Sequence, residues 1–91
     1  MKIHLTGRLI CADEAEARIV RDHIDEHIRL TREEPGCERF DVAQTDDPLV
    51  FQIDETFTSR ADFEAHQERA KSSTWGTVSA GIRRDFQVTE A

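Results

Sequence analysis

Apolar and polar residues alternate in four stretches of the chain, a pattern typical of strands that bury one face. In the first stretch Ile3, Leu5 and Leu9 fall on one face, with polar positions between them. The predicted strands cover residues 3–11, 37–44, 49–57 and 82–88. A Thr-Asp-Asp-Pro turn at 45–48 separates the second from the third, which predicts a hairpin between them.

Two longer segments have a helical period instead. Asp13 and Glu16 form a D-x-x-E capping signal, and the helix after it is predicted to run to about Leu30. Its apolar stripe comprises Ala17, Val20, Ile24 and Ile28. A second capping signal at 59–62 predicts a helix to about Ala70, and a short helical piece carries Trp75. The last residues, 89–91, are predicted to be loose.

The resulting order βαββαβ predicts one α+β domain over residues 1–91, of the ferredoxin-like kind. Both helices should cross the same face of a four-stranded antiparallel sheet. The other face then has no cover within the chain, and it carries Ile10 among polar residues. A mixed, uncovered face of this kind favours a homodimer in which a second sheet covers it.

Charge excludes several classes of function. The net charge is −7 with no basic stripe, so nucleic acid and anionic membrane surfaces are not expected partners. No apolar run approaches the roughly 20 residues that span a bilayer, and the N-terminus turns polar at once, so a cytoplasmic location is expected. Cys11 and Cys37 have no CxxC spacing, and no metal site is expected.

Three segments taken together resemble the antibiotic biosynthesis monooxygenase family. They are Thr-Arg-Glu-Glu-Pro-Gly-Cys at 31–37, the third strand with Glu55 near its end, and the following helix, where His66 comes eleven residues after Glu55. The resemblance extends over roughly residues 3–88. It implies a dimeric α+β barrel with a substrate pocket between each sheet and its helices.

The resemblance also implies a range of activities. Characterised members include cofactor-independent monooxygenases of quinols and aromatic polyketides, haem-degrading enzymes, and an isomerase of a sugar-derived phosphate. This chain contains no Tyr and no Asn. Haem-degrading members need an Asn on the first strand, where this chain has Thr6 and Arg8, so that activity is disfavoured. Polyketide-oxidising members use Tyr and Asn around the substrate, so two of their polar contacts are missing.

Three residues are the candidate catalytic groups. His66, at the family's histidine position, is a candidate general base that removes a proton from a phenol or hydroquinone. The anion formed can give an electron to O₂, so no cofactor is expected. Glu55 and Arg84 each interrupt an apolar strand face, which predicts that both point inward, close to each other or to His66. The alternatives are a structural histidine and a structural ion pair.

Further residues are candidates for substrate contact. Trp75 is suited to stack on a flat aromatic ligand, although a core position explains it equally well. His27 lies beside the buried stripe of the first helix, and a partly exposed position is its other interpretation. Phe40, Phe51 and Phe63 are expected to be pocket wall or core. Arg32 and Glu34 flank the Pro-Gly turn, where capping or a solvated charge is the favoured interpretation.

The sequence therefore favours a cofactor-independent monooxygenase acting on a small aromatic or quinone-like molecule. Two alternatives remain. One is an isomerase or detoxifying enzyme acting on a small carbonyl compound, and the other is a dimeric ligand-binding module without activity. The missing Tyr and Asn side chains strengthen both alternatives.

Overall fold

The computed structural model describes all residues from 1 to 91. The elements in chain order are β1 (Ile3–Ile10), α1 (Glu14–Arg32), β2 (Cys37–Gln44), β3 (Val50–Phe57), α2 (Arg60–Ser72), α3 (Thr74–Val78) and β4 (Arg83–Glu90). The strands form one antiparallel sheet in the order β2-β3-β1-β4. The predicted ferredoxin-like fold is confirmed.

One predicted helix end is close to the observed one, and one prediction for the C-terminus is wrong. Helix α1 ends at Arg32, near the predicted Leu30. The C-terminal residues are not loose, because β4 reaches Glu90 and the Ala91 amide donates to the Lys2 carbonyl at 3.0 Å. Strand β4 lies at the sheet edge and its last residues are polar, so no apolar alternation revealed their pairing.

The core lies between one face of the sheet and the helices. Alternate residues of β1 and β3 supply the sheet side, and α1 supplies Ala17, Val20 and Ile24. Capping determines where the helices begin: the Asp13 carboxylate accepts from the Glu16 amide at 3.0 Å, and the Ser59 hydroxyl accepts from the Asp62 amide at 3.2 Å. The opposite sheet face, with Thr6 and other polar residues, has no helix against it.

A glycine on β1, Gly7, allows β4 to lie unusually close to that strand. A Cβ built on Gly7 would lie 2.2 Å from the Asp85 carbonyl oxygen and 2.8 Å from a ring carbon of Phe86. Only a residue without a side chain fits under that ring. The Phe86 ring therefore lies over the backbone of β1 and reaches the space between sheet and helices.

No helix of the chain combines the length and the apolar character needed to cross a membrane.

Candidate functional site

A cavity of about 440 Å³ lies between the sheet and the helices. This volume is within the range of small-molecule sites. Its lining is mostly apolar with a few polar groups: Leu9, Ile24, His27, Phe40, Ile53, Glu55, His66, Gln67, Ala70, Lys71, Trp75, Gly76, Ala80, Arg84 and Phe86. Of the residues that the sequence singled out, it brings together His66, Glu55, Arg84, His27, Trp75 and Phe40.

His66 on α2 is held from behind by Glu34. The imidazole is 3% exposed, and its Nδ1 lies 3.1 Å from both carboxylate oxygens of Glu34. An ionised carboxylate only accepts, so Nδ1–H donates to it and the lone pair is on Nε2. Burial lowers the pKa of His66, and the Glu34 carboxylate opposes part of that shift. At neutral pH the ring is therefore neutral, with its Nε2 able to accept a proton.

The favoured interpretation of Glu34 from the sequence, capping or a solvated charge, is wrong. Its carboxylate also accepts from Arg69 Nε at 2.5 Å, and Arg69 in turn donates to the buried Thr31 hydroxyl at 2.9 Å. Only 17% of the Glu34 side chain is exposed. Residues from the end of α1 and from α2 thus form one network behind His66.

The Pro-Gly turn sets the position of Glu34. A Cβ on Gly36 would lie 2.3 Å from Cγ of Asp62, so the turn packs directly on the start of α2. The Thr58 amide donates to the Gly36 carbonyl at 2.9 Å, and the Thr58 hydroxyl donates to Asp62 at 2.5 Å. These contacts join the chain before β2 to the helix that carries His66.

Glu55 points inward, as the alternation on β3 predicted, and is 7% exposed. Its neighbours across the sheet, Leu5 on β1 and Phe40 on β2, are both apolar. Burial raises the pKa of Glu55 to about 8, and the negative charge of Glu34 adds to the shift. Its Oε1 lies 3.6 Å from Nε2 of His66, which is beyond hydrogen-bond distance.

His27 is buried and not partly exposed, with 5% of its surface accessible. Its ring stacks on Trp75 with a centroid distance of 5.6 Å, and its centroid lies 5.7 Å from that of His66. Burial lowers the pKa of His27 to about 3, and the nearby His66, Arg69 and Arg84 add to the shift. Nδ1 of His27 is buried without a hydrogen-bond partner. Trp75 is both core and cavity wall.

Arg84 and Glu55 do not form the ion pair that was considered. Arg84 is opposite Leu9 on β1, whereas Glu55 is opposite Leu5 from the other side of that strand. Four residues at about 3.3 Å each and two strand spacings of about 4.8 Å separate their backbones. The Arg84 guanidinium instead donates to the carbonyls of Ser79 and Ile82, both at 2.9 Å. These contacts tie the exposed Arg84 side chain to the segment between α3 and β4, at the cavity rim.

Two predicted wall residues belong to the core. Phe51 and Phe63 are 4% and 6% exposed and are part of the hydrophobic core, but neither lines the cavity. Phe63 packs edge-on against Phe57 at a centroid distance of 5.8 Å. Strand alternation gave the correct face for Phe51, but it is Leu9, its partner on β1, that lines the cavity.

Sequence reasoning missed Arg69 and Thr31. Arg69 lies on the polar side of α2, where no pattern indicated it. Thr31 continues the buried stripe of α1 just past the predicted helix end, and it opens the segment shared with the family, but neither pattern indicated its contact with Arg69. No group of three or more His, Cys, Asp or Glu side chains is arranged to hold a metal ion. The arrangement is instead suited to moving a proton: a neutral imidazole with a carboxylate behind it and a protonated carboxyl beside it.

Comparison with known proteins gives the family. The family model for antibiotic biosynthesis monooxygenases matches residues 6–76. A comparison with curated protein sequences finds no match. The chain belongs to the antibiotic biosynthesis monooxygenase family.

Several solved structures share this fold at low sequence identity. A Nitrosomonas europaea protein, described as a candidate antibiotic biosynthesis monooxygenase, is 24% identical with a TM-score of 0.83, covering 100% of this chain and 98% of that one. Rv0793 from Mycobacterium tuberculosis is 18% identical with a TM-score of 0.80, at 100% and 95% coverage. SnoaB from Streptomyces nogalater, a cofactor-independent oxygenase, is 13% identical with a TM-score of 0.77, at 99% and 92% coverage. The TM-scores establish the shared fold.

Proposed function

We propose that this chain is a cofactor-independent monooxygenase that oxidises a quinol-like or polycyclic aromatic substrate with O₂. The observation that carries the proposal is the neutral imidazole of His66. Glu34 holds it on one side, and it lines an apolar cavity on the other. The family membership and the fold shared with SnoaB, a cofactor-independent oxygenase, support the same chemistry.

In the proposed reaction, Nε2 of His66 takes a proton from a substrate hydroxyl. The Glu34 carboxylate stabilises the imidazolium that forms, as a buried carboxylate does for other catalytic histidines. The substrate anion gives one electron to O₂, and the semiquinone and superoxide then combine at a ring C–H carbon as a hydroperoxide. Loss of water leaves one oxygen atom on the ring. The balance is one quinol and one O₂ giving one hydroxylated quinone and one water.

The other cavity residues have proposed supporting roles. Glu55 lies beside Nε2 of His66 and is proposed to orient or balance charge during proton transfer. Trp75, His27 and Phe40 are proposed to contact the flat face of the substrate, since their rings group around His66. Arg84 is proposed to balance negative charge from the rim.

Replacing His66 by alanine is expected to lower kcat for menadiol oxidation by about 10² to 10⁴, because the general base is removed. Oxygen uptake is measured in buffer free of metals and flavins, with the spontaneous oxidation of menadiol subtracted. His23→Ala on α1 is the matched control and is expected to keep wild-type activity, since His23 does not line the cavity.

Three results would overturn the monooxygenase proposal. If His66→Ala consumes oxygen at the wild-type rate, the imidazole is not the base. Turnover of a small carbonyl compound without oxygen uptake would favour an isomerase. Saturable binding of menadiol without any turnover would favour a ligand-binding module.

We also propose that the chain is a homodimer, with the open sheet face as the interface. This face presents Thr6, Arg8, Ile10 and Gln52, which belong to strands with no helix against that side. Light scattering is expected to give twice the 10.4 kDa mass of one chain. Ile10→Asp is expected to shift the mass toward the monomer, because it places a charge in the apolar part of the interface. A monomeric wild-type protein would contradict this proposal.

A further inference from the structure

The two ends of the cavity differ in charge. At the inner end the titratable groups are Glu55, His27 and His66, and burial keeps all three in their uncharged forms at neutral pH. The outer end is lined by the side chains of Lys71 and Arg84, which are exposed. Glu55 is opposite Leu5 and Arg84 is opposite Leu9, so their backbones are four residues apart in the direction of β1.

Neither cation at the outer end has an acidic partner. No carboxylate lies within 4.0 Å of Lys71 or Arg84, whereas Arg69 is neutralised by Glu34. Arg84 is held in place by uncharged groups, namely the carbonyls of Ser79 and Ile82 and the Ser79 hydroxyl at 2.8 Å. Two positive charges without partners, at the mouth of a cavity in a protein of net charge −7, are a local exception to the charge of the whole chain.

The inner end offers uncharged hydrogen-bonding groups. Oε1 of Glu55 and Nδ1 of His27 are sealed from solvent without partners, which leaves Oε2 and Nε2 as the atoms of these side chains that a ligand can reach. A protonated carboxyl donates one hydrogen bond and a neutral imidazole donates or accepts one. Such groups bind a hydroxyl or carbonyl oxygen. Of the two arginines whose charge acts on His27, Arg69 is already paired with Glu34, and Arg84 is held by Ser79 and Ile82.

We propose that the cavity binds an elongated aromatic ligand lengthwise, with an uncharged hydroxyl or carbonyl at the end formed by His66, Glu55 and His27, and an anionic group at the rim beside Arg84 and Lys71. The anion subsite rests on the proposed function, since it lies in the same cavity as the proposed substrate site. It adds a substrate class: an aromatic quinol or phenol that carries an acidic group opposite its reacting hydroxyl.

Three naphthalene probes test both ends. They are 6-hydroxy-2-naphthoate, which carries both groups, 2-naphthol, which lacks the carboxylate, and 2-naphthoate, which lacks the hydroxyl. Calorimetric titration at pH 7 and low salt is expected to show that the first binds about fivefold more tightly than either of the others, because exposed ion pairs contribute modestly. The gain over 2-naphthol is expected to shrink as salt is added.

Variants assign the gain to residues. In Lys71→Gln and Arg84→Gln the preference for 6-hydroxy-2-naphthoate over 2-naphthol is expected to fall, and in the double variant it is expected to vanish. Arg84→Lys keeps the charge and is expected to keep most of the preference, which separates charge from a structural effect of Arg84. Lys2→Gln removes the same charge far from the cavity, at a residue paired with Glu38, and is expected to leave the preference unchanged.

Several results would overturn the inference: equal or weaker binding of 6-hydroxy-2-naphthoate relative to 2-naphthol, a preference that survives in the double variant, or no binding of any probe. These results are distinct from failure of the proposed function, which is judged from oxygen uptake with menadiol. Charge-selective binding without oxygen uptake would leave the anion subsite standing and would remove only the monooxygenase reaction.

Discussion

Between pH 6.5 and pH 8.5 the free energy of unfolding is expected to fall by about 2 kcal/mol, and Glu55→Gln is expected to abolish most of that fall. The pKa of Glu55 is about 8 in the folded chain, against 4.5 for a solvated glutamate side chain. In this range the folded state binds the proton that the unfolded state has already released, so stability decreases as pH rises. The loss begins near the unfolded pKa and levels off above the folded one.

The other groups with shifted pKa values titrate mainly outside this pH range. The pKa values of His27 and His66 are lowered by burial, so their contribution is lost as pH falls below about 6.5. The pKa values of Cys11 and Cys37 are raised above 9.0 by burial, so these thiols act at higher pH. The other charged group that acts on Glu55 within the window is the Glu34 carboxylate, which is itself paired with the permanently charged Arg69.

Urea unfolding at several pH values measures the effect. Glu64→Gln is the matched control, because Glu64 is exposed on the same chain segment as His66 and its loss is expected to leave the slope unchanged. At pH 8.5 the Glu55→Gln variant is expected to be more stable than the wild type, since an amide has no charge to bury. A wild-type free energy that is flat across the window, or a slope retained in Glu55→Gln, would refute the assignment of this titration to Glu55.

Alternation along the strands predicted correctly which face of the sheet a side chain lies on, but it did not predict which side chains are its neighbours. It placed Glu55 on the buried face of β3 because side chains of a strand point to opposite sides in turn. It gave no register between strands, and register decides which residues are neighbours. For that reason Glu55 was expected to approach Arg84, whereas the pairings through Leu5 and Leu9 keep the two apart.

The network behind His66 could not be predicted from the sequence, for a different reason. Glu34 lies in a turn, where no period indicates whether a side chain is inside or outside. Its burial results from packing between segments 32 residues apart, through the contact of Gly36 with Asp62. The signals were the segment 31–37 shared with the family, which contains Glu34, and its Pro-Gly dipeptide. They predict a tight turn but not what the turn packs against.

Replacing Glu34 by alanine is expected to cost about 2–3 kcal/mol of folding stability, because it leaves the Arg69 guanidinium and Nδ1 of His66 without their acceptor in a partly buried network. Glu33→Ala is the matched control. Glu33 is the adjacent residue, and its own ion pair with Arg29 at 2.8 Å is on the exposed surface. Its loss is expected to cost less than about 0.5 kcal/mol, as for other surface pairs.

The same variant distinguishes positioning from a purely structural role. The carboxylate of Glu34 favours the protonated form of His66, so its removal is expected to lower the pKa of His66 further. Proton NMR of the His66 ring follows that pKa directly. In the activity assay kcat is expected to fall while KM changes little. The reason is that the imidazolium, which Glu34 stabilises, is present only after proton transfer. If Glu34→Ala matches Glu33→Ala in stability and leaves the His66 titration unchanged, the carboxylate does not support the base.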